Sequence, residues 1–118
     1  SQFRKFVYVE DLAEGNVLAL KSIASNKTYN LDGIEKITVK EIAEMVGNII
    51  GNVKIEYAPA RTGDFSGKEV SSKRAEDELG WTPKTSFNEG LKKYIDWYIQ
   101  RERKREEDWE KLDDLLKE

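Results

Sequence analysis

The sequence predicts an α/β fold: a small, mostly parallel sheet of about three strands with covering helices, ending in a long C-terminal helix. Three observations predict it. Strand-like apolar runs alternate with segments of helical periodicity, the helix starts carry capping signatures, and the last third of the chain keeps a helical apolar stripe. Strands that alternate with helices return in one direction, which implies parallel pairing with helices packed on the sheet.

The first strand is expected in the β-branched and aromatic run Phe6 to Glu10. It leads into a helix that Asp11 can N-cap and Glu14 can close as a capping box, with Leu12, Ala13, Val17, Leu20 and Ile23 at helical spacing. Lys27 to Gly33 is the second strand and turn. The next helix is marked most clearly. Thr38 and Glu41 form a capping box, Ile37 and Ile42 are placed for a hydrophobic staple, and Gly51 supplies the stop. The third strand, Val53 to Pro59, alternates apolar and polar residues and opens into a glycine-bearing loop. A short helix follows from about Ser72 to Leu79. In the two strand-like runs Tyr8 and Tyr57 read as packing groups, and Lys73 with Arg74 as a solvated helix face.

Ser86 and Glu89 cap the last helix, whose stripe runs through Phe87, Leu91, Tyr94 and Tyr98. Arg101 and Arg105 then take the stripe's next positions before Trp109, Leu112 and Leu116 resume it. A continuous helix over 86–117 would be about 48 Å long at 1.5 Å per residue, longer than a domain of this size is wide. The chain therefore divides into a folded portion, 1–98, and a charged amphipathic extension, 99–118, that projects or packs against another surface.

Composition narrows the chemistry. The 118 residues suit one core, and a net charge of −3 lacks the positive field of a nucleic-acid binder. With neither cysteine nor histidine, the chain has no disulfide, no thiolate nucleophile and none of the commonest general base or metal ligand. Apolar runs such as Val17 to Leu20 are far too short for a membrane span, and the polar start is not a signal peptide, so the expected location is the cytoplasm. No G-x-G-x-x-G loop and no Tyr-x-x-x-Lys pair occurs.

The loop RTGDFSGKEV remains. Arg61 carries a planar, permanently charged fork suited to a phosphate, Gly63 allows close backbone approach, and Asp64 can accept hydrogen bonds from sugar hydroxyls. An ion pair within the loop is the alternative on these residues alone. Arg4, just before the first strand, is a second candidate phosphate cation or simply a solvated strand flank.

Taken together, RKFVYVEDLAEGNVLAL, KTYNLDG, ITVKEIAEMVGNIIG, YAPARTGDFSG and SSKRAEDELGWTPKTSFNEGLKKYIDWY resemble the C-terminal, substrate-binding part of extended short-chain dehydrogenase/reductases. The similar branch is that of NAD-dependent nucleotide-sugar epimerases and dehydratases of the UDP-glucose 4-epimerase type. The resemblance runs from Arg4 to about Tyr98. It implies that Arg4 and Arg61 contact the substrate diphosphate and that Asp64 contacts the nucleotide ribose. Thr62 replaces the family's proline, Lys5 stands where an aspartate is common, and Ser71 where many members have aspartate.

It also implies that this chain is a fragment of a larger Rossmann-type enzyme whose N-terminal half binds NAD and carries the acid/base pair. The segment would then anchor a nucleotide-sugar, hold no catalytic residue, bind no NAD by itself and be inactive alone. Surfaces that the N-terminal half would cover favour self-association as a homo-oligomer. The competing reading is a non-catalytic interaction module that uses the helix bearing Trp109, Leu112, Leu115 and Leu116.

Overall fold

The computed structural model describes residues 2–63 and 67–117. Its elements are β1 (Phe3–Arg4), α1 (Val9–Leu18), a 3-10 turn (Ser22–Ala24), β2 (Ile37–Thr38), α2 (Val39–Ile50), α3 (Lys73–Leu79) and α4 (Phe87–Leu116). The class is α/β as expected, but the sheet differs. Among the described residues it has two strands, and they are antiparallel, with Phe3 opposite Thr38 and Arg4 opposite Ile37. Residues 5–8 form no ladder, and α1 already begins at Val9, inside the run expected to be strand. The segments 27–33 and 53–59 likewise form no strand. Period-two alternation makes a segment able to pair, but a ladder needs a neighbouring edge, and here only β1 and β2 find one.

The helices follow local chemistry more closely. At α2 the expected capping box is present: Glu41 N–H donates to Thr38 Oγ1 at 3.1 Å, and Thr38 N–H to Glu41 Oε2 at 2.7 Å. Gly51 ends the helix at φ +75°. Ser71 Oγ accepts from Lys73 N–H at 3.2 Å at the start of α3, and Gly80 closes that helix in the left-handed region. Ser86 Oγ accepts from Glu89 N–H at 3.2 Å, opening an α4 that is unbroken over 30 residues.

Asp11 does not N-cap α1. It lies in the helix's first turn, 5% exposed, and its carboxylate accepts from the backbone N–H groups of Lys84 and Thr85 at 3.0 and 2.9 Å. Its carbonyl oxygen accepts from Trp81 Nε1 at 2.8 Å. Glu14 pairs with Lys84 at 2.8 Å instead of closing a capping box. α1 is thus fastened to the segment between α3 and α4, and Glu35 extends the fastening by accepting from Phe87 N–H at 2.8 Å.

The core lies where α1, the 3-10 turn and α3 meet. Ala24, Ala75, Leu79 and Trp81 are buried there, with Val7, Leu18, Tyr29 and Leu31 packed around them. Gly15 is required by closeness: a Cβ there would fall 2.4 Å from Leu31 Cδ1 and 3.2 Å from Trp81 Nε1. A second contact joins the 6–8 segment to α4 through the Phe6 and Phe87 rings, 5.5 Å apart, and the Tyr8 ring against Gly90. Tyr8 therefore packs as expected, whereas Tyr57 is 72% exposed. Much apolar surface stays open on the body, including Val9, Val17 and Leu20.

Candidate functional site

β1 positions Arg4. Its ladder partner Ile37 is buried while Arg4 itself is exposed, so the guanidinium stands at the surface, with Nη1 donating to the Phe3 carbonyl at 2.8 Å. The Phe3 ring beside it is flanked by two groups. Lys36 Nζ lies 5.3 Å from its centroid, and Gly67 approaches it so closely that a Cβ would meet ring carbons at 2.6 Å.

Gly67 is the far end of the loop that carries Arg61. The loop leaves Pro59, turns at Thr62 and Gly63, where Gly63 adopts φ +88°, and returns at Gly67 with φ +137°. Two backbone conformations that favour glycine, and the absence of a Cβ against Phe3, let it fold back onto β1. Arg61 is exposed. Gly67, at the far end of that loop, thus lies against Phe3, the residue before Arg4, across more than sixty positions of the chain. Asp64 lies outside the described residues.

Beyond Gly67 the chain stays beside β2. Glu69 pairs with Lys36 at 3.0 Å, and this hydrogen bond and charge hold the Glu69 carboxyl below its usual range. Ser72 Oγ accepts from Asp32 N–H at 2.8 Å. Between these segments an open cleft of about 640 Å³ is lined by polar groups such as Lys5, Asp32 and Glu69 and by the apolar Ile34, Val70 and Pro83. The sequence reading missed the roles of Phe3, Lys36 and Gly67. The available signal was an aromatic residue directly before Arg4 and a second glycine closing the loop. As expected, Lys73 and Arg74 face solvent, paired with Asp77 and Glu78 at 3.0 and 2.8 Å.

Residues 1–94 match the family model described as GDP-mannose 4,6 dehydratase. The chain belongs to that family. The family is one of NAD-dependent nucleotide-sugar epimerases and dehydratases. Among curated relatives, the chain is 31% identical over 101 residues to GDP-L-fucose synthase 1 of Arabidopsis thaliana, covering 85% of this chain and 31% of the relative. It is 39% identical over 83 residues to UDP-glucose 4-epimerase of Corynebacterium glutamicum, covering 68% of this chain and 25% of the relative.

The UDP-glucose 4-epimerase of Thermotoga maritima, solved with UDP-glucose, superposes with a TM-score of 0.79 at 30% identity, covering 85% of this chain and 32% of that one. The dTDP-glucose 4,6-dehydratase of Bacillus anthracis, solved with NAD, gives a TM-score of 0.77 at 25% identity, covering 86% of this chain and 33% of that one. This GDP-mannose 4,6 dehydratase family segment thus spans a third or less of the length of these relatives. No described helix is long and apolar enough to cross a membrane.

Proposed function

We propose that this segment is the nucleotide-sugar-binding portion of an NAD-dependent sugar epimerase or dehydratase, with a UDP-sugar as its ligand. One observation supports the reading: Gly67, which ends the loop that carries Arg61, lies against Phe3, the neighbour of Arg4 in β1. Two guanidinium groups suit a diphosphate, because each can form charge-assisted, bidentate bonds to phosphate oxygens. The Thermotoga relative, solved with UDP-glucose, supports the UDP-sugar assignment.

In this reading Arg4 and Arg61 grip the diphosphate and Asp64 accepts from the ribose hydroxyls. NAD, which takes up the sugar's hydride and returns it, would be held by an N-terminal Rossmann-type half, because no residue pattern in this chain builds its phosphate loop. The chain's own work is binding and orientation: it fixes the nucleotide so that the sugar reaches the reacting groups of the other half. Alone, the segment binds no NAD and turns over no sugar nucleotide.

Saturation-transfer NMR of this chain with UDP-glucose, GDP-mannose and NAD tests the reading. Transfer to the UDP-glucose ribose and base protons, lost in Arg61→Ala and absent for NAD, is the expected result. Equal transfer in the wild type and in Arg61→Ala would overturn the assignment.

A further inference from the structure

The stretch of chain that carries Arg61 lies on the surface. Every described residue of 56–71 is exposed except Gly67, which is half-buried against Phe3. So long an exposed run has little apolar burial to fix it, and its position depends on individual contacts at its ends. Where Gly67 meets β1, those contacts converge on one side chain.

That side chain is Lys36. Its neighbour Ile37 is buried and paired with Arg4, which fixes the backbone of β2, and the alternation of side chains along extended chain turns Lys36 to the face that Phe3 and Thr38 share. The ammonium lies 5.3 Å from the centroid of the Phe3 ring and 3.0 Å from Glu69 Oε2. Glu69 follows Gly67 by two residues. One cation thus reaches both the ring against which Gly67 packs and the limb by which the chain leaves Gly67. A cation beside an aromatic ring and an exposed ion pair are each weakly favourable, and here they share one anchor.

We propose that Lys36 is a positioning residue for the Arg61 loop, holding the loop's return limb to β1 through the Phe3 ring and the Glu69 carboxylate. This rests on the reading of the segment as a nucleotide-sugar binder, in which Arg61 and not Lys36 meets the phosphates. The sign of one substitution separates the two roles. If Lys36 met the diphosphate itself, Glu69 would compete for the ammonium and repel the ligand, so Glu69→Gln would tighten binding. If Lys36 holds the loop through Glu69, the same change frees the limb and weakens binding.

NMR of the full chain, with and without UDP, tests this. In the wild type a nuclear Overhauser contact between the Gly67 Hα protons and the Phe3 ring is expected. Lys36→Met should weaken that contact and lower UDP affinity roughly three- to tenfold, since it removes the ion pair and the cation–aromatic contact together. Glu69→Gln should lower affinity roughly two- to fivefold. Lys36→Arg can keep both contacts and should stay near the wild type. Lys111→Met removes the same charge from the distal part of α4 and should change neither readout, which separates the latch from a general loss of positive charge. All three positions are exposed, and thermal unfolding checks that each variant folds. Tighter UDP binding by Glu69→Gln, or undiminished binding by Lys36→Met, would overturn the proposal. A wild type that binds no UDP would overturn the nucleotide reading instead, and the Gly67–Phe3 contact would then decide alone: its persistence in Lys36→Met would show that Lys36 does not hold the loop.

Discussion

The indole N–H of Trp81 donates to the main-chain carbonyl of Asp11 at 2.8 Å, joining a buried ring to the first turn of α1 across 70 positions of sequence. The Asp11 carboxylate meanwhile accepts from Lys84 and Thr85 on the way into α4. A single residue of α1 therefore holds both the core tryptophan and the start of the long helix.

That bond can be removed with little change of ring burial. Trp81→Phe leaves the Asp11 carbonyl with only its place in the α1 ladder, in a site where Trp81 is 1% exposed, so water cannot easily replace the indole. Losing one hydrogen bond from such a site costs about 0.5–1.5 kcal/mol net. Denaturant unfolding should show that loss, and Trp81→Ala should cost about 3–5 kcal/mol because a large cavity is added. A Trp81→Phe variant as stable as the wild type would mean that the bond contributes nothing net.

Acid stability should depend on Glu78. Its carboxyl is held below the ordinary value of 4.5, chiefly by the hydrogen bond from Lys27 and further by Arg74. A depressed folded pKa contributes stability that is present above the unfolded value and lost as pH falls through the folded one. Glu78→Gln should therefore lower Tm near neutral pH and converge with the wild type as pH falls through the lowered folded pKa. Parallel Tm curves for the two proteins between those limits would show that the pair is not linked to folding.

Cutting the chain after Tyr98 should leave the body intact. Beyond that point only Glu102 is more than slightly covered, and Ile95 is the last buried residue of α4. At concentrations where the chain is monomeric, the truncated form should lose less than about 1 kcal/mol of stability. A larger loss in urea unfolding would show that the arm packs on the body.

The helices were legible because their determinants are local. Thr38 with Glu41 and Ser86 with Glu89 are each read within four residues of sequence, and both caps form as expected. The strands were not, because pairing is decided at a distance: Val53 to Pro59 alternates as a strand should, yet no edge receives it. Asp11 shows the same limit. It has the residue type and position of an N-cap, but the backbone donors of Lys84 and Thr85 claim its carboxylate. At the site, Arg4 and Arg61 were legible as cations, whereas the Gly67–Phe3 packing depends on a contact across more than sixty positions.

Gly67 should act as a positioning residue for that site. Alanine there must hold φ near +137° and put a methyl 2.6 Å from the Phe3 ring, which costs about 1–3 kcal/mol and is relieved most cheaply by lifting the loop. UDP-glucose affinity of Gly67→Ala should fall although Arg61 is intact. Adding Phe3→Ala removes the clash and should recover part of the affinity in an NMR titration. No recovery would mean that the ring is not what seats the loop.

The decisive substitution is at Arg61. A guanidinium that meets a diphosphate in a partly desolvated cleft forms bonds worth about 1.5–3 kcal/mol, so Arg61→Ala should weaken UDP-glucose binding roughly ten- to hundredfold. Arg61→Lys keeps the charge but loses the planar fork, and should recover only part of that loss. Arg4→Ala should weaken binding in the same direction if both cations meet the phosphates, and the double variant should lose less than the sum if they share one diphosphate. Titration of each variant with UDP-glucose and with UDP separates contacts to the phosphates from contacts to the sugar, since loss at Arg61 should be equal for both ligands. If Arg61→Ala leaves both affinities unchanged while lowering Tm, the arginine is a structural element of its own loop and the diphosphate is held elsewhere.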